Sequence, residues 1–120
     1  IDKGVTAITR IGEGTKIDNL VQIGHDTIVG KMCLFAAHVG VAGCCNIGNY
    51  VTLWGQVGTT SGITIGDGAT ILGKSGVSKS LEGGKVYFGV PAEENRVKLK
   101  ELATLRRIPS IIEQLKELEK

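Results

Sequence analysis

A step of six residues runs through two-thirds of the chain and leaves few folds open to it. Counting by six from Val5 gives Ile11, Ile17, Ile23, Val29, Phe35, Val41, Ile47, Leu53, Thr59, Ile65, Ile71 and Val77, and only Thr59 is neither aliphatic nor aromatic. Glycine often follows the beat, at Gly12, Gly24, Gly30, Gly48 and Gly66. A small or β-branched residue comes four places after it, from Thr15, Val21, Thr27 and Cys33 through to Ala69 and Ser75. A helix repeats every 3.6 residues and a half-buried strand every two, so neither accounts for the pattern. Hexapeptide repeats of a parallel β-helix do: each hexad makes one flat side, and three hexads make one triangular coil.

Composition fits that architecture. Glycine supplies 18 of 120 residues, against an average near 7%, which suits a chain that turns a corner every six residues. Aromatic residues are only 4%, so the core is expected to be stacked aliphatic side chains. The net charge of +2 makes no case for nucleic acid as a partner. No apolar run reaches the roughly 18 residues that span a membrane, and no secretory leader is visible. Solenoids normally cap their open ends. A chain that begins at Ile1, inside what reads as a repeat, is therefore expected to be a piece of a longer protein with an N-terminal part before it.

The pattern divides the chain into a β-helix over 1–81, a connecting loop over 82–92 and C-terminal helices over 93–120. Within the β-helix, position n lies over n+18, one strand spacing of about 4.8 Å away. The loop breaks the beat with Gly83-Gly84, and Tyr87 and Phe88 are expected to fold back onto the last coil, with Pro91 ahead of a helix. From Glu93 the signal turns helical. Val97, Leu99, Leu102, Leu105, Ile108, Ile112, Leu115 and Leu118 recur at three or four, and Pro109 suits the first turn of a second helix. So short a tail must bury its apolar stripe against its own coil or against copies of itself. β-Helices of this type commonly form trimers, and a small bundle of three tails is the preferred reading.

Few residues can carry chemistry. His25 follows a core position by two, so its ring should point outward beside Asp26, where an imidazole can act as a general base. One coil further on stands Gly43, whose bare backbone leaves an N–H open to a developing oxyanion. His38, thirteen residues on, does not stack with His25, and a three-histidine zinc site lacks its ligands. Cys33, Cys44 and Cys45 form no CxxC pair and cannot bridge one another, so they read as small, reduced core residues and no metal is expected. Trp54 should face outward, over Leu72 and under Ala36, covered by a subunit interface in preference to an acyl-chain groove. Lys74, Lys79 and the tail residues Arg96, Lys98, Lys100, Arg106 and Arg107 make a basic patch that decides nothing alone.

The run Ile17-Asp18-Asn19-Leu20-Val21-Gln22-Ile23-Gly24-His25-Asp26 resembles the active-site segment of the UDP-3-O-acylglucosamine N-acyltransferases of lipid A biosynthesis. Ile1-Asp2-Lys3-Gly4, Val41-Ala42-Gly43, Val86-Tyr87 and Gly89-Val90-Pro91 are similar to the same family in the same order. The resemblance covers nearly the whole chain and is to the C-terminal portion of those enzymes. It implies a left-handed β-helix that assembles as a cytoplasmic homotrimer, with active sites between subunits. It also implies transfer of a 3-hydroxyacyl group from the phosphopantetheine arm of acyl carrier protein to the 2-amino group of a UDP-sugar, with no bound cofactor. The family's base falls on His25 and its oxyanion amide on Gly43. Asp18, Asn19 and Asp26 match substrate-side positions. The basic tail residues Arg96, Lys98, Lys100, Arg106 and Arg107 take the role of carrier-protein contacts.

This chain departs from the family in having Asp26 where Asn is frequent, and no histidine near Gly62. The family's uracil pocket belongs to a preceding domain. Three rival readings stand beside this one: a UDP-N-acetylglucosamine O-acyltransferase, an acetyl-CoA-dependent sugar acetyltransferase, and a β-helix scaffold without activity.

Overall fold

The computed structural model describes residues 1–120 throughout. The hexads form twelve two-residue strands, six residues apart: β1 (Arg10–Ile11), β2 (Lys16–Ile17), β3 (Gln22–Ile23), β4 (Ile28–Val29), β5 (Leu34–Phe35), β6 (Gly40–Val41), β7 (Asn46–Ile47), β8 (Thr52–Leu53), β9 (Gly58–Thr59), β10 (Thr64–Ile65), β11 (Thr70–Ile71) and β12 (Gly76–Val77). They stack in three parallel sheets, β1-β4-β7-β10, β2-β5-β8-β11 and β3-β6-β9-β12. Arg10 pairs with Ile28, Ile17 with Phe35 and Ile23 with Val41, which is the eighteen-residue register expected of a triangular coil. The winding is left-handed, as the resemblance implied.

Two positions per hexad fill the core. Beat residues from Ile23 to Val77 are buried except Thr59, and so are the residues four places later, from Thr27 to Ser75. At the open end Ile11, Ile17 and Val21 are only partly covered. Val5 departs from the beat that was expected to begin with it: it is 75% exposed, because residues 5–7 leave the coil to wrap the carboxylate of Asp26.

The corners overturn the expected role of glycine. Left-handed backbone recurs three residues after the beat, and eight of those positions carry side chains: Leu20, Asp26, Met32, His38, Cys44, Tyr50, Gln56 and Lys74, with φ between 56° and 64°. The glycines directly after the beat do not have positive φ. They serve close stacking instead: a Cβ on Gly24 would lie 2.4 Å from the Gly43 nitrogen of the next coil. Left-handed backbone costs a side-chain-bearing residue about 1–2 kcal/mol, and glycine's extra unfolded-state freedom returns about 0.4–1 kcal/mol of that. Lys74→Gly, at an exposed corner, should therefore raise stability by up to about 1.6 kcal/mol in equilibrium unfolding; a loss of stability would show the corner carries no strain.

After β12 the chain folds back as expected. β13 (Val86–Phe88) pairs in parallel with β11, two residues short of a full coil, and buries Tyr87, whose Oη donates to the Glu82 carbonyl at 2.8 Å. The helical signal at Glu93 begins two residues early, because Glu93–Glu94 form β14, antiparallel to β13. α1 (Asn95–Arg106) and α2 (Ile108–Leu118) follow, with Pro109 in the first turn of α2. α1 packs on β13 and β14, while α2 meets only α1 and buries no residue. The tail thus rests on the end of its own coil through α1, while α2 stands clear of it. The chain measures 66 × 24 × 24 Å, and Leu105, Ile112, Leu115 and Leu118 stay uncovered. No helix is long and apolar enough to cross a membrane.

Candidate active site

The corner between β3 and β4 carries the first group. The His25 side chain is 47% exposed and that of Asp26 is 5%, so the ring faces solvent and the carboxylate lies beneath it. Asp26 Oδ1 accepts from the backbone N–H groups of Val5 at 2.7 Å and Ala7 at 2.9 Å. Oδ2 accepts from Thr6 through N–H and Oγ1, both at 3.2 Å, and from His25 Nδ1 at 3.1 Å. The Ala7 N–H and the His25 side chain, joined by the N–H groups of Thr6 and Val5, hold the Asp26 carboxyl well below the usual carboxylate range. Its extra stabilisation is in place above the ordinary carboxylate pKa and fades only as pH falls through the lowered value.

An ionised carboxylate can only accept, so the neutral His25 ring carries its proton on Nδ1 and presents Nε2 as a free lone pair. Nε2 overlies Gly43, where an added Cβ would sit 2.7 Å from it. The Gly43 N–H donates to no acceptor in the protein. On either side the turn is tied down: Cys44 N–H donates to the His25 carbonyl at 2.8 Å, and Ala42 N–H donates to Thr59 Oγ1 at 3.1 Å. Thr59, the lapse in the hexad beat, therefore braces the turn that presents Gly43. That lapse was the available signal for it.

Cys44 corrects a second expectation. Cys33 and Cys45 are buried, but Cys44 is exposed, standing one coil above Asp26. Donor atoms of His25, Asp26 and Cys44 all lie within 4.8 Å of one another. Spacing along the chain hid this trio, whereas adding eighteen to Asp26 finds it.

The other anticipated residues lie elsewhere. Asp18 and Asn19 sit at the preceding corner, between β2 and β3, where Asp18 Oδ1 accepts from the Asn19 N–H at 2.7 Å. No hydrogen bond joins them to His25. Asp18 instead lines a groove of about 450 Å³ with Lys16, Leu34, Ala36 and Trp54; Trp54 faces outward as read and is 45% exposed. In the tail, Arg96, Lys100, Arg106 and Arg107 are exposed. Lys98 is not: its side chain packs on Gly89 and its Nζ meets Glu101 at 3.0 Å. His38 is exposed one coil above the Asp18–Asn19 corner, where its N–H donates to the Asn19 carbonyl at 3.1 Å.

The coil's repeat has a known counterpart: residues 8–43 match the class described as bacterial transferase hexapeptide (six repeats). Within that class, the sequence is similar to the UDP-3-O-acylglucosamine N-acyltransferases. The protein of that name from Methylobacterium nodulans is 45% identical over 108 residues, 90% of this chain and 31% of that protein. The one from Wolinella succinogenes is 45% identical over 106 residues, 88% of this chain and 33% of that protein. The resemblance read from the motif run is borne out, and the chain spans about a third of the length of these curated relatives. Among solved structures, the UDP-N-acetylglucosamine O-acyltransferase of Moraxella catarrhalis superposes with a TM-score of 0.76 at 34% identity, over 78% of this chain and 37% of that one. The acetyltransferase domain of PglB from Neisseria gonorrhoeae, at TM-score 0.67 and 17% identity over 73% of this chain and 45% of that one, shares the fold.

Proposed function

We propose that this chain carries the acyl-transfer centre of a UDP-3-O-acylglucosamine N-acyltransferase, a cytoplasmic enzyme that takes a 3-hydroxyacyl group from acyl carrier protein. The observation that carries the reading is the free Nε2 of His25 beside the unbonded N–H of Gly43. The sugar 2-amino nitrogen attacks the thioester carbonyl as Nε2 takes its proton, and the carbonyl oxygen, now negative, is held by the Gly43 N–H. Collapse breaks the C–S bond, and the imidazolium returns the proton to the departing thiolate of the phosphopantetheine arm. Amide and thiol leave, and the histidine is restored.

Asp26 is a positioning residue in this scheme: its lone pairs already serve residues 5–7 and His25. Asp18 and Asn19 act on substrate from a second corner. A flat side of about five residues puts adjacent corners roughly 16 Å apart, so one chain cannot gather both groups around one amine. A neighbouring subunit supplies the missing corner, which supports a homotrimer. Five basic residues on α1 and its C-cap, Arg96, Lys98, Lys100, Arg106 and Arg107, stand against Glu101 and the N-cap Glu94, which supports an acidic carrier protein as donor. Four of them do the steering, because Lys98 is tied to Glu101.

The test offers 3-hydroxyacyl carrier protein to the full-length protein with UDP-3-O-acylglucosamine or UDP-N-acetylglucosamine. Amide product on the first acceptor is expected. Ester on the second would transfer the reading to the O-acyltransferases, whose fold likeness makes them the alternative. Gly43→Ala should cut kcat about 10²-fold, because its Cβ would displace the His25 ring and small misplacements of a catalytic group cost about that much. Unchanged turnover would remove Gly43 from the site.

A further inference from the structure

We propose that His25, Asp26 and Cys44 form a binding site for a zinc-type divalent cation, and that its occupancy switches off the base. The site stands on its own geometry; the inhibition rests on the acyl-transfer reading given above. An imidazole nitrogen, a carboxylate oxygen and a thiol sulfur within 4.8 Å of one another are the mixed N, O and S donors that a borderline-soft ion accepts. Ligand bonds of ordinary zinc length put tetrahedral donors about 3.3–3.6 Å apart, so no pair of the trio has more than about 1.5 Å to close, and His25 Nδ1 already lies 3.1 Å from Asp26 Oδ2. The parts free to move are the right ones. His25 and Cys44 project from exposed corner positions, while the Asp26 carboxylate is fixed by Val5, Thr6 and Ala7, and the metal takes on Oδ2 the place that the His25 Nδ1–H gives up. Three protein donors leave the fourth position to water, and binding releases the Cys44 thiol proton to solvent. No other cysteine can take its place, because Cys33 and Cys45 are buried in the coil. The metal takes the imidazole through Nδ1, the nitrogen 3.1 Å from Asp26 Oδ2; the Nδ1 proton moves to Nε2, which then has no lone pair for the amine proton, and a chelator restores it.

The experiment titrates the full-length protein with cobalt(II) and then zinc(II), comparing wild type with Cys44→Ala. One cobalt per chain should give a near-ultraviolet thiolate-to-metal charge-transfer band, lost on adding zinc and missing in Cys44→Ala. Zinc should also abolish acyl transfer by wild type, reversibly with EDTA. Cys44→Ala should keep its activity and need at least about 10-fold more zinc, the lower end of what losing even an outer metal partner costs. No charge-transfer band in wild type, or equal zinc sensitivity in the two proteins, would overturn the proposal. A Cys44-dependent band in a protein that transfers no acyl group would leave the metal site standing and remove the catalytic reading instead.

Discussion

Replacing His25 with alanine lowers turnover by about 10²–10⁴-fold, the contribution of a well-placed general base, and leaves the coil folded. Both halves follow from the same contacts. The ring projects from the wall, half exposed, so deleting it opens no cavity. Asp26 loses one donor and keeps those from Val5, Thr6 and Ala7, so no buried charge is orphaned. The residual rate would come from the oxyanion donor, of order 10²–10³, and from orientation. Tyr50→Ala is the control, an exposed ring at the remaining corner of the triangle, and its rate should equal wild type. Steady-state kinetics with thermal unfolding on both variants decide the matter. If His25→Ala turned over normally, the proton would have another acceptor and the proposed chemistry would fail.

Phe35→Ala should cost about 3–5 kcal/mol, toward the upper end of that range. Phe35 is the largest fully buried side chain, stacked on Ile17 below and Leu53 above. A globular core can relax into such a hole, but here the distance between coils is set by backbone hydrogen bonds on all three faces, so Ile17 and Leu53 cannot approach to fill it. The loss should appear as a lowered midpoint in denaturant, with destabilisation passed only to adjacent coils. A cost below about 1 kcal/mol would mean that the coil compresses after all.

The coil itself was legible because a solenoid turns long-range contact into a period. Once six and eighteen are known, stacking partners such as Ile23 and Val41, or His25 over Gly43, are found by addition. What escaped was whatever the period does not govern. Residues 1–9 follow no beat, so the wrap of Val5, Thr6 and Ala7 around Asp26 left no trace in the spacing, and Asp26 read as a substrate ligand. The corner residues were obscured by type: Leu20, Met32 and Tyr50 do not advertise left-handed backbone, which is imposed on them by the triangular path. β14 was hidden because Glu93–Glu94 carry no strand pattern and are drafted into pairing by β13. Cys44 obeys the same arithmetic as Gly43, eighteen residues on from Asp26, and its spacing from Cys33 and Cys45 along the chain carries no sign of it.

The eighteen-residue register also makes the coil a kind of punctuation for change. An insertion or deletion of a whole coil beyond Gly43 would lengthen or shorten the prism and leave every later residue on its own face. A single hexad would keep all core positions buried yet turn the remainder of the molecule by a third of a revolution, carrying the β13–β14 hairpin and both helices to another side. Such a variant could fold as well as its parent while aiming its tail at the wrong neighbour. Length in this protein is therefore quantised twice, by six for the core and by eighteen for the direction in which everything after it points.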